Sequence, residues 1–376
     1  MMTPDQREVW DLYKQGLSHR QIADKLGKAH STVTELLKRA RKHAYLEENP
    51  GIADALTRTG IDPGSARFGY RRVQNDDGSF DTVMWRMEEE EARDYAEALA
   101  DAFSGIKPMK PVKAPLTTLR DFCTLYPYTD VHAGMHAWGR ETGGQDYDLD
   151  HFRHDVAVSF AKLDAMTPNA TQALLILNGD TFHSDDGHET PESGHKVDTD
   201  GRIAKVLDTG LEVFVDLVVR LLGKHESVRV RVMRGNHDKH SHLALSMGLR
   251  SYFRLEPRVI VEDVKLDLFQ FQWGTSAIFA HHGDKGSNSP ERLVMYISDV
   301  CKFWSETRHR YVFTGHVHHQ RVKDFGAIQF ESLRSFCPPD AYAAGMMFSQ
   351  RRAVQALTFH RTDGLVMRAV DPLEHR

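Results

Sequence analysis

Val228-Arg229-Val230-Arg231-Val232-Met233-Arg234-Gly235-Asn236-His237-Asp238 is the stretch on which the fold turns. Alternation of Val with Arg predicts a strand over 228–233. The alternation also predicts that Arg229, Arg231 and Arg234 face solvent. The strand stops at Gly-Asn-His-Asp, a turn built from residues that hold protons or metals and form no core. Working outward, the same grammar recurs four times. A predicted strand Phe122–Tyr128 runs into Asp130-Val131-His132, and Ala173–Leu177 runs into Gly179-Asp180. Ser276–Ala280 runs into His281-His282-Gly283-Asp284, and Tyr311–Phe313 into Gly315-His316-Val317-His318; a further strand is predicted at Ala327–Phe330. Helical patterns near 150–166 and 202–222 alternate with the first three strands. The expected class is α/β, with the chemistry at strand ends.

Composition narrows the options. The chain has 376 residues, with 48 Lys+Arg against 53 Asp+Glu, and its 27% charged and 40% hydrophobic residues exclude a disordered or fibrous protein. No apolar run reaches the length of a membrane-spanning helix, and the first residues lack the apolar segment of a secretory signal. The three cysteines, Cys123, Cys301 and Cys337, are far apart and form no CxxC pair. That points to a reducing cytoplasm and away from a thiolate zinc site. Of 22 histidines, 17 fall between His132 and His319.

Any one of the five motifs is an ordinary surface turn; the series of five, in this order and each at a strand end, is not. It resembles the calcineurin-like metallophosphoesterases over roughly residues 120 to 335. The resemblance implies a four-layer α/β/β/α sandwich and a centre of two divalent metal ions. Asp130, His132 and His318 would hold one ion and Asn236, His282 and His316 the other, with Asp180 bridging. His282 is preferred to His281 because the family's ligand precedes the Gly, and His319 lies one step past its motif. His237, held by Asp238, would protonate the leaving alkoxide, and a water bridging the two ions would be the nucleophile. Carboxylate, amide and imidazole ligands without thiolate suit Mn²⁺ first, then Fe or Zn²⁺. Polar loops after Asp180 and His237 are where substrate choice is expected, with His183, His195 and Asp198 as candidate substrate contacts. The run Gly-Asp-Thr-Phe-His-Ser-Asp-Asp from Gly179, together with the amino-terminal segment, is similar to phage- and prophage-encoded members, which would place the chain in a bacterial host's cytoplasm.

Residues 1–45 hold nine Lys/Arg (Arg7, Lys14, Arg20, Lys25, Lys28, Lys38, Arg39, Arg41, Lys42) against five acids (Asp5, Glu8, Asp11, Asp24, Glu35), a basic head on an acidic body. Three short helices are predicted there, the first capped at Thr3-Pro4 and the second at Ser18, with Gly16 and Gly27 as stops. Val9, Trp10, Leu12, Tyr13, Ile22, Ala23, Leu26, Val33, Leu36 and Leu37 form the inward face. The segment from Gly16 to Val33 resembles the helix-turn-helix of sigma-factor region 4 and LuxR-type regulators. That resemblance implies DNA as partner, with His30, Ser31, Thr32, Thr34 and Glu35 near base edges and Lys38 and Arg41 at phosphates. Such modules read paired half-sites, which suits a homodimer; no coiled coil and no sign of an ATPase partner is visible. The domains expected are 1–46 (helix-turn-helix), 47–115 (connector) and 116–376 (phosphoesterase). The connector is expected to hold a hairpin of Arg67–Gln74 and Phe80–Arg86 about Asn75-Asp76-Asp77-Gly78. An acidic amphipathic helix over Glu88–Phe103 and a Pro/Lys linker at 107–115 follow.

The metal chemistry leaves the phosphate ester open, because the fold carries monoesterases, protein phosphatases, cyclic-nucleotide phosphodiesterases and nucleases of the Mre11/SbcD type. The DNA-binding head tips the expectation toward a DNA exo- or endonuclease. The acidic body speaks for the alternative, a phosphatase or phosphodiesterase acting on a small molecule or phosphoprotein. The third expectation is a DNA-binding regulator with a non-catalytic phosphoesterase scaffold; the intact His237-Asp238 pair weighs against it.

Overall fold

The computed structural model describes residues 2–17, 19–48, 68–74, 80–86, 106–185, 198–285, 289–348 and 351–373. It divides into two compact units, Met1–Ala102 and Phe103–Arg376. In the first unit α1 (Pro4–Lys14), α2 (His19–Leu26) and α3 (His30–Glu48) pack around Val9, Leu12, Tyr13, Ile22, Ala23, Val33 and Leu37. Thr3 and Gln6 form a reciprocal capping box that opens α1. Strands β1 (Phe68–Gln74) and β2 (Phe80–Arg86) pair antiparallel in the register of a hairpin, Phe68 opposite Arg86 and Gln74 opposite Phe80. The Asn75–Gly78 turn, the Ser18 cap and the helix expected over Glu88–Phe103 lie outside the described residues.

The second unit begins its regular structure with β3 (Leu119–Tyr128), followed by α4 (Gly139–Thr142), α5 (Leu149–Met166), β4 (Ala170–Asn178), α6 (Ile203–Lys224), β5 (Ser227–Met233), α7 (Ser241–Phe253) and β6 (Val259–Val261). Next come β7 (Phe269–Trp273), β8 (Ser276–His281), α8 (Pro290–Val300), β9 (His309–Thr314), β10 (Arg321–Phe325), β11 (Ile328–Ser332), α9 (Ala341–Gly345), β12 (Val354–His360) and β13 (Gly364–Asp371). A six-stranded sheet runs β13-β12-β3-β4-β5-β6 and a five-stranded sheet β10-β11-β9-β8-β7. Strands β3 to β6 are mutually parallel, as are β8, β9 and β11.

Side-chain alternation builds the layers. On β4, Ala173, Leu175 and Leu177 face a core shared with α5, α6 and α7, while Leu174 and Ile176 face the other sheet. On β8, Ile278 and Ala280 meet that inter-sheet core, and Ala277 and Phe279 face α8 through Leu293, Val294 and Ile297. Helices therefore cover both outer faces of two stacked sheets, the expected α/β/β/α order. Buried on both faces, the parallel strands read as continuous apolar runs, and this is why the sequence exposes them.

The arginines of β5 depart from the expected solvent-facing arrangement. Arg231 is 3% exposed and donates to the Leu266 carbonyl beside Glu262. Arg229 pairs with Glu262 at 2.9 Å and lies over Phe271, and Arg234 bonds Asp284. Alternation puts Arg229 and Arg231 on the inter-sheet side with Met233, where Glu262 neutralises them, while Arg234 follows the strand in the turn. The sequence pattern announces neither the strands β6, β7, β10, β12 and β13 nor the helices α4, α7, α8 and α9. Most consequential are β12, which returns to lie antiparallel beside β3 with Leu357 opposite Leu125, and β13, which pairs antiparallel with β12 at the edge of the sheet.

Candidate metal centre

All five motifs leave the carboxyl ends of parallel strands of the two sheets and converge. The backbone there is unusual: Asp130, His132, Asp180, His316 and His318 all have φ between 49° and 68°. Non-glycine residues pay for this left-handed conformation, on the order of 1 kcal/mol each, and five together mark a site that the packing around it imposes. Glycines make room for the cluster. A Cβ on Gly179 would fall 2.5 Å from His282 Cγ, one on Gly235 2.7 Å from Asp180 Cγ, and one on Gly315 2.6 Å from Asp130 Oδ2. Each Gly of the Gly-Asp, Gly-Asn and Gly-His pairs is thus the floor under a neighbouring motif's functional side chain.

Three groups of ligand-capable atoms occur, the atoms of each within 4.8 Å of one another: Asp130, His132 and His318; Asp180, His282 and His316; and His132, His183 and His237. His318 Nε2 is 3.2 Å from Asp130 Oδ1, and His282 Nε2 is 3.2 Å from Asp180 Oδ2. Asp180 Oδ2 also lies 3.9 Å from His132 Nε2, so this carboxylate stands between the groups. Asn236 joins the second, its Oδ1 3.1 Å from His282 Nε2. Around them, the Asp130 carboxylate accepts from Thr129 Oγ1 (2.7 Å) and from the amide of His316.

The donor set fits a cation. His282 Nδ1 lies 2.9 Å from the Asn178 carbonyl, an acceptor, so Nδ1 carries the proton and Nε2 is left toward Asp180 Oδ2 and Asn236 Oδ1. With Nε2 unprotonated, three acceptor atoms would face one point, an arrangement satisfied either by a proton on Nε2 or by a cation among them. His132 Nε2 is buried and has no hydrogen-bond partner among the described residues. Electrostatics agree. Burial opposes ionisation of Asp130 and Asp180, yet His318 holds Asp130 below the usual carboxylate range, and His282 holds Asp180 well below it. Against its own burial, the Asp180 carboxylate lifts His282 to about 10. Burial and His237 push His132 well below the ordinary histidine range, and burial and His282 lower His316.

His237, of the third group, lies beside the other two, its ring centroid 4.8 Å from that of His132. Its amide donates to Asp180 Oδ1 (2.8 Å), and its Nδ1 donates to the carbonyl of His183 (2.9 Å). The expected partner Asp238 has another task. Fully buried, it accepts from the amides of Gly235 (2.7 Å) and Thr181 (2.8 Å), tying the turn after β5 to the turn after β4. Burial and the nearby Asp180 charge raise it to about 7. A backbone carbonyl thus holds His237, and no motif search would have found it.

Among the candidate substrate contacts, His183 is 2% exposed, stacks on His237 and places its Nδ1 2.9 Å from His132 Nδ1. Asp198 is exposed and contributes only its carbonyl, to the His136 amide; His195 lies outside the described residues. His281 turns its Nδ1 back onto the Gly283 amide (2.9 Å), and His319 turns its own to the Val317 carbonyl, so both stay out of the groups. Asp185, to which the sequence assigns no role, clamps the start of α7 by accepting from the amides of His240 and Ser241.

On the head, Thr32 and Glu35 are exposed on α3, and Glu35 pairs with Arg39 at 3.0 Å. Thr34 is half-buried, and its hydroxyl lies 3.2 Å from Nδ1 of the buried His19. His30, Ser31, Lys38 and Arg41 lie on the same helix, and their side chains are outside the described set.

A family model described as a helix-turn-helix domain matches residues 2–40. Comparison with curated proteins gives no match. Among solved structures, the chain is similar to a novel archaeal phosphodiesterase (12% identity, TM-score 0.34, covering 66% of this chain and 99% of that one). It is also similar to Yfce, a phosphoesterase from E. coli (14%, TM-score 0.32, covering 65% and 98%). A third is wild-type Vps29 complexed with zinc from Entamoeba histolytica (12%, TM-score 0.30, covering 67% and 99%). At these scores the likeness adds nothing to what the side chains themselves say.

Proposed function

We propose that the chain is a two-metal phosphodiesterase acting on DNA. The observation that carries this reading is the convergence of Asp130, His132, Asp180, Asn236, His282, His316 and His318 around two groups of ligand atoms, with His237 beside them. Asp130, His132 and His318 would hold one ion, Asn236, His282 and His316 the other, and Asp180 would serve both. A set of carboxylate, amide and imidazole donors suits Mn²⁺, with Fe and Zn²⁺ next. When bound, a pair of such ions acidifies water and neutralises the charge of a phosphoryl group.

The remaining chemistry belongs to this chain's own residues. Because His237 Nδ1 donates its hydrogen bond to the His183 carbonyl, Nε2 is the ring atom left to give a proton to the leaving alkoxide. Asp238 keeps the turns after β4 and β5 in register, so that Asp180 and His237 stay in mutual reach. The helix-turn-helix of residues 2–40 supports DNA as the substrate by raising its local concentration. The acidic body keeps one rival alive, a small or protein-borne phosphate ester. In the deciding experiment the purified chain with Mn²⁺ is given single- and double-stranded DNA, a phosphodiester dye and a phosphomonoester dye, beside His237→Ala. DNA cleavage lost in the variant supports the reading; turnover of the monoester alone overturns it. Binding of one DNA sequence with no turnover assigns the chain to regulation instead.

A further inference from the structure

Beside the metal centre the layer between the two sheets opens to solvent, where Arg368 of β13 reaches Glu331 of β11. Leu125, Leu333 and Leu357 end the apolar part of that layer. Past them lies a narrow cleft lined by Pro127, Gln320, Leu333, Arg334, Ala353 and Gln355. Gln355 faces it because alternation on β12 puts Gln355 on the same side as Leu357, toward the other sheet. Chain connectivity ties the cleft to the centre. Pro127 is three residues before Asp130 and Gln320 two after His318, so each lies within about 10 Å of a metal-binding residue. Arg334 precedes Ser335, whose hydroxyl donates to the Asp130 carbonyl (3.4 Å), and Phe336, whose amide donates to the Thr129 carbonyl (3.1 Å).

The polar groups of the cleft suit an anion. Gln355 is 8% exposed, and its Oε1 accepts from Arg368 Nη1 at 2.7 Å. That bond fixes the amide and leaves Nε2, which donates to nothing among the described residues, as the polar atom offered to the cleft. Arg334 is half-buried and has no hydrogen bond or ion pair among the described residues. It is also the only charged residue of the lining. Its planar guanidinium keeps its donors for water or for an oxyanion. The acids nearby are engaged. Both oxygens of Glu331 accept from Arg368 (2.6 Å each), and Gln320 Nε2 bonds one of them. Asp371, next to Val370, turns to the other face of the sheet and pairs with Lys162, while Asp340 caps α9 outside the lining. Size narrows the ligand further. A free volume of about 30 Å³ admits two or three oxygen atoms, since one water needs about 10–15 Å³, and shuts out a base or a sugar.

We infer that Arg334 and Gln355 hold a second phosphate beside the one at the metal centre, so that the substrate is a strand carrying at least two phosphates. This rests on the phosphodiesterase reading above, and its test keeps the two separable. With Mn²⁺, the full chain is given a thymidylate dinucleotide, which has one phosphate, and a trinucleotide, which has two. The wild type should prefer the trinucleotide in kcat/KM by about tenfold, the value of one charge-assisted hydrogen bond. Two scissile bonds in place of one account for a factor of only about two. Arg334→Met and Gln355→Leu should each bring the ratio down toward that factor. Arg334 bonds nothing among the described residues, so its replacement leaves the fold intact. A wild type without the preference, or a ratio equal in all three proteins, overturns the second phosphate. Inorganic phosphate is then titrated calorimetrically into the chain in EDTA. Binding that Arg334→Met loses, beside an unaltered ratio, gives the cleft to a free phosphate and overturns the chain-borne one. If the wild type cleaves neither nucleotide, the phosphodiesterase reading fails. The calorimetry then still decides the cleft: no phosphate binding, or binding equal in wild type and Arg334→Met, removes the site.

Discussion

Gly235→Ala places the sharpest demand on the proposed centre. The new Cβ would lie 2.7 Å from Asp180 Cγ and closer still to its Oδ1, where ordinary contact is about 3.4 Å or more. Either Asp180 retreats by roughly 1 Å or the turn after β5 backs away by as much; in both cases Asp180 loses its place between the two groups. A misplacement of about 1 Å costs on the order of 100-fold, or ~2.7 kcal/mol. The same crowding destabilises the fold by about 1–3 kcal/mol. Mn²⁺ affinity by calorimetry, kcat/KM on a phosphodiester dye and thermal unfolding would be measured together. Gly223→Ala is the control, because a Cβ there meets nothing within 4 Å and sits in helix α6, where Ala is favoured by up to ~1 kcal/mol. Metal affinity in Gly235→Ala equal to wild type, in a folded protein, would falsify the account of these glycines as floors under the ligands.

Other outcomes can be checked independently. Mn²⁺ at about 100 times its Kd should stabilise the chain by ~2.7 kcal/mol, seen as a rise of several degrees in Tm that EDTA reverses; a Tm indifferent to both would remove the metal centre. Arg352→Met leaves the buried Asp155 without its guanidinium and should cost about 3–5 kcal/mol, most of it recovered in the double variant with Asp155→Leu. Equal losses in single and double variants would show that Arg352 acts through its bonds to Gln145 and Phe336 instead. His225, held neutral by burial, is pushed down to about 4 from an ordinary 6.5. The unfolded chain binds its proton first, so stability is whole above pH about 6.5 and falls by up to ~3 kcal/mol as pH drops toward about 4. In His225→Gln the fall in urea midpoint over that window should shrink, and an unaltered fall would count against the assignment.

The turns of the centre were legible because five of them in series, each after a buried strand, carry residues that hold metals and protons, although any one alone is an ordinary turn. Val228–Met233 and Gly235–Asp238 supplied both fold and chemistry within eleven residues. Other features were silent for physical reasons. The bond from His237 to the His183 carbonyl uses backbone, which every residue has. Asp238 looked like a partner of its neighbour, but side chains in a tight turn diverge, and its carboxylate reached the amides of Gly235 and Thr181 instead. Arg229 and Arg231 obeyed alternation while the face they obeyed it on was misjudged, because a second sheet, and not water, lies on that side. Strands β12 and β13 went unread because nothing local announces that Val354–His360 will join a sheet begun more than two hundred residues earlier.

That late pairing has a consequence for how the protein comes into being. During synthesis β3, which ends at the Asp130 turn, emerges early and can pair at once with β4 on one side. Its other edge must wait for Leu357 to meet Leu125. Contacts so distant in sequence form slowly, and an open strand edge invites wrong partners meanwhile. The Ser335–Cys337 segment that braces Asp130 from below arrives scarcely earlier. A nascent chain halted before Val354 would therefore hold every metal-centre residue named here yet lack the strand that seats the first of them. Activity would then be the last property the growing chain acquires.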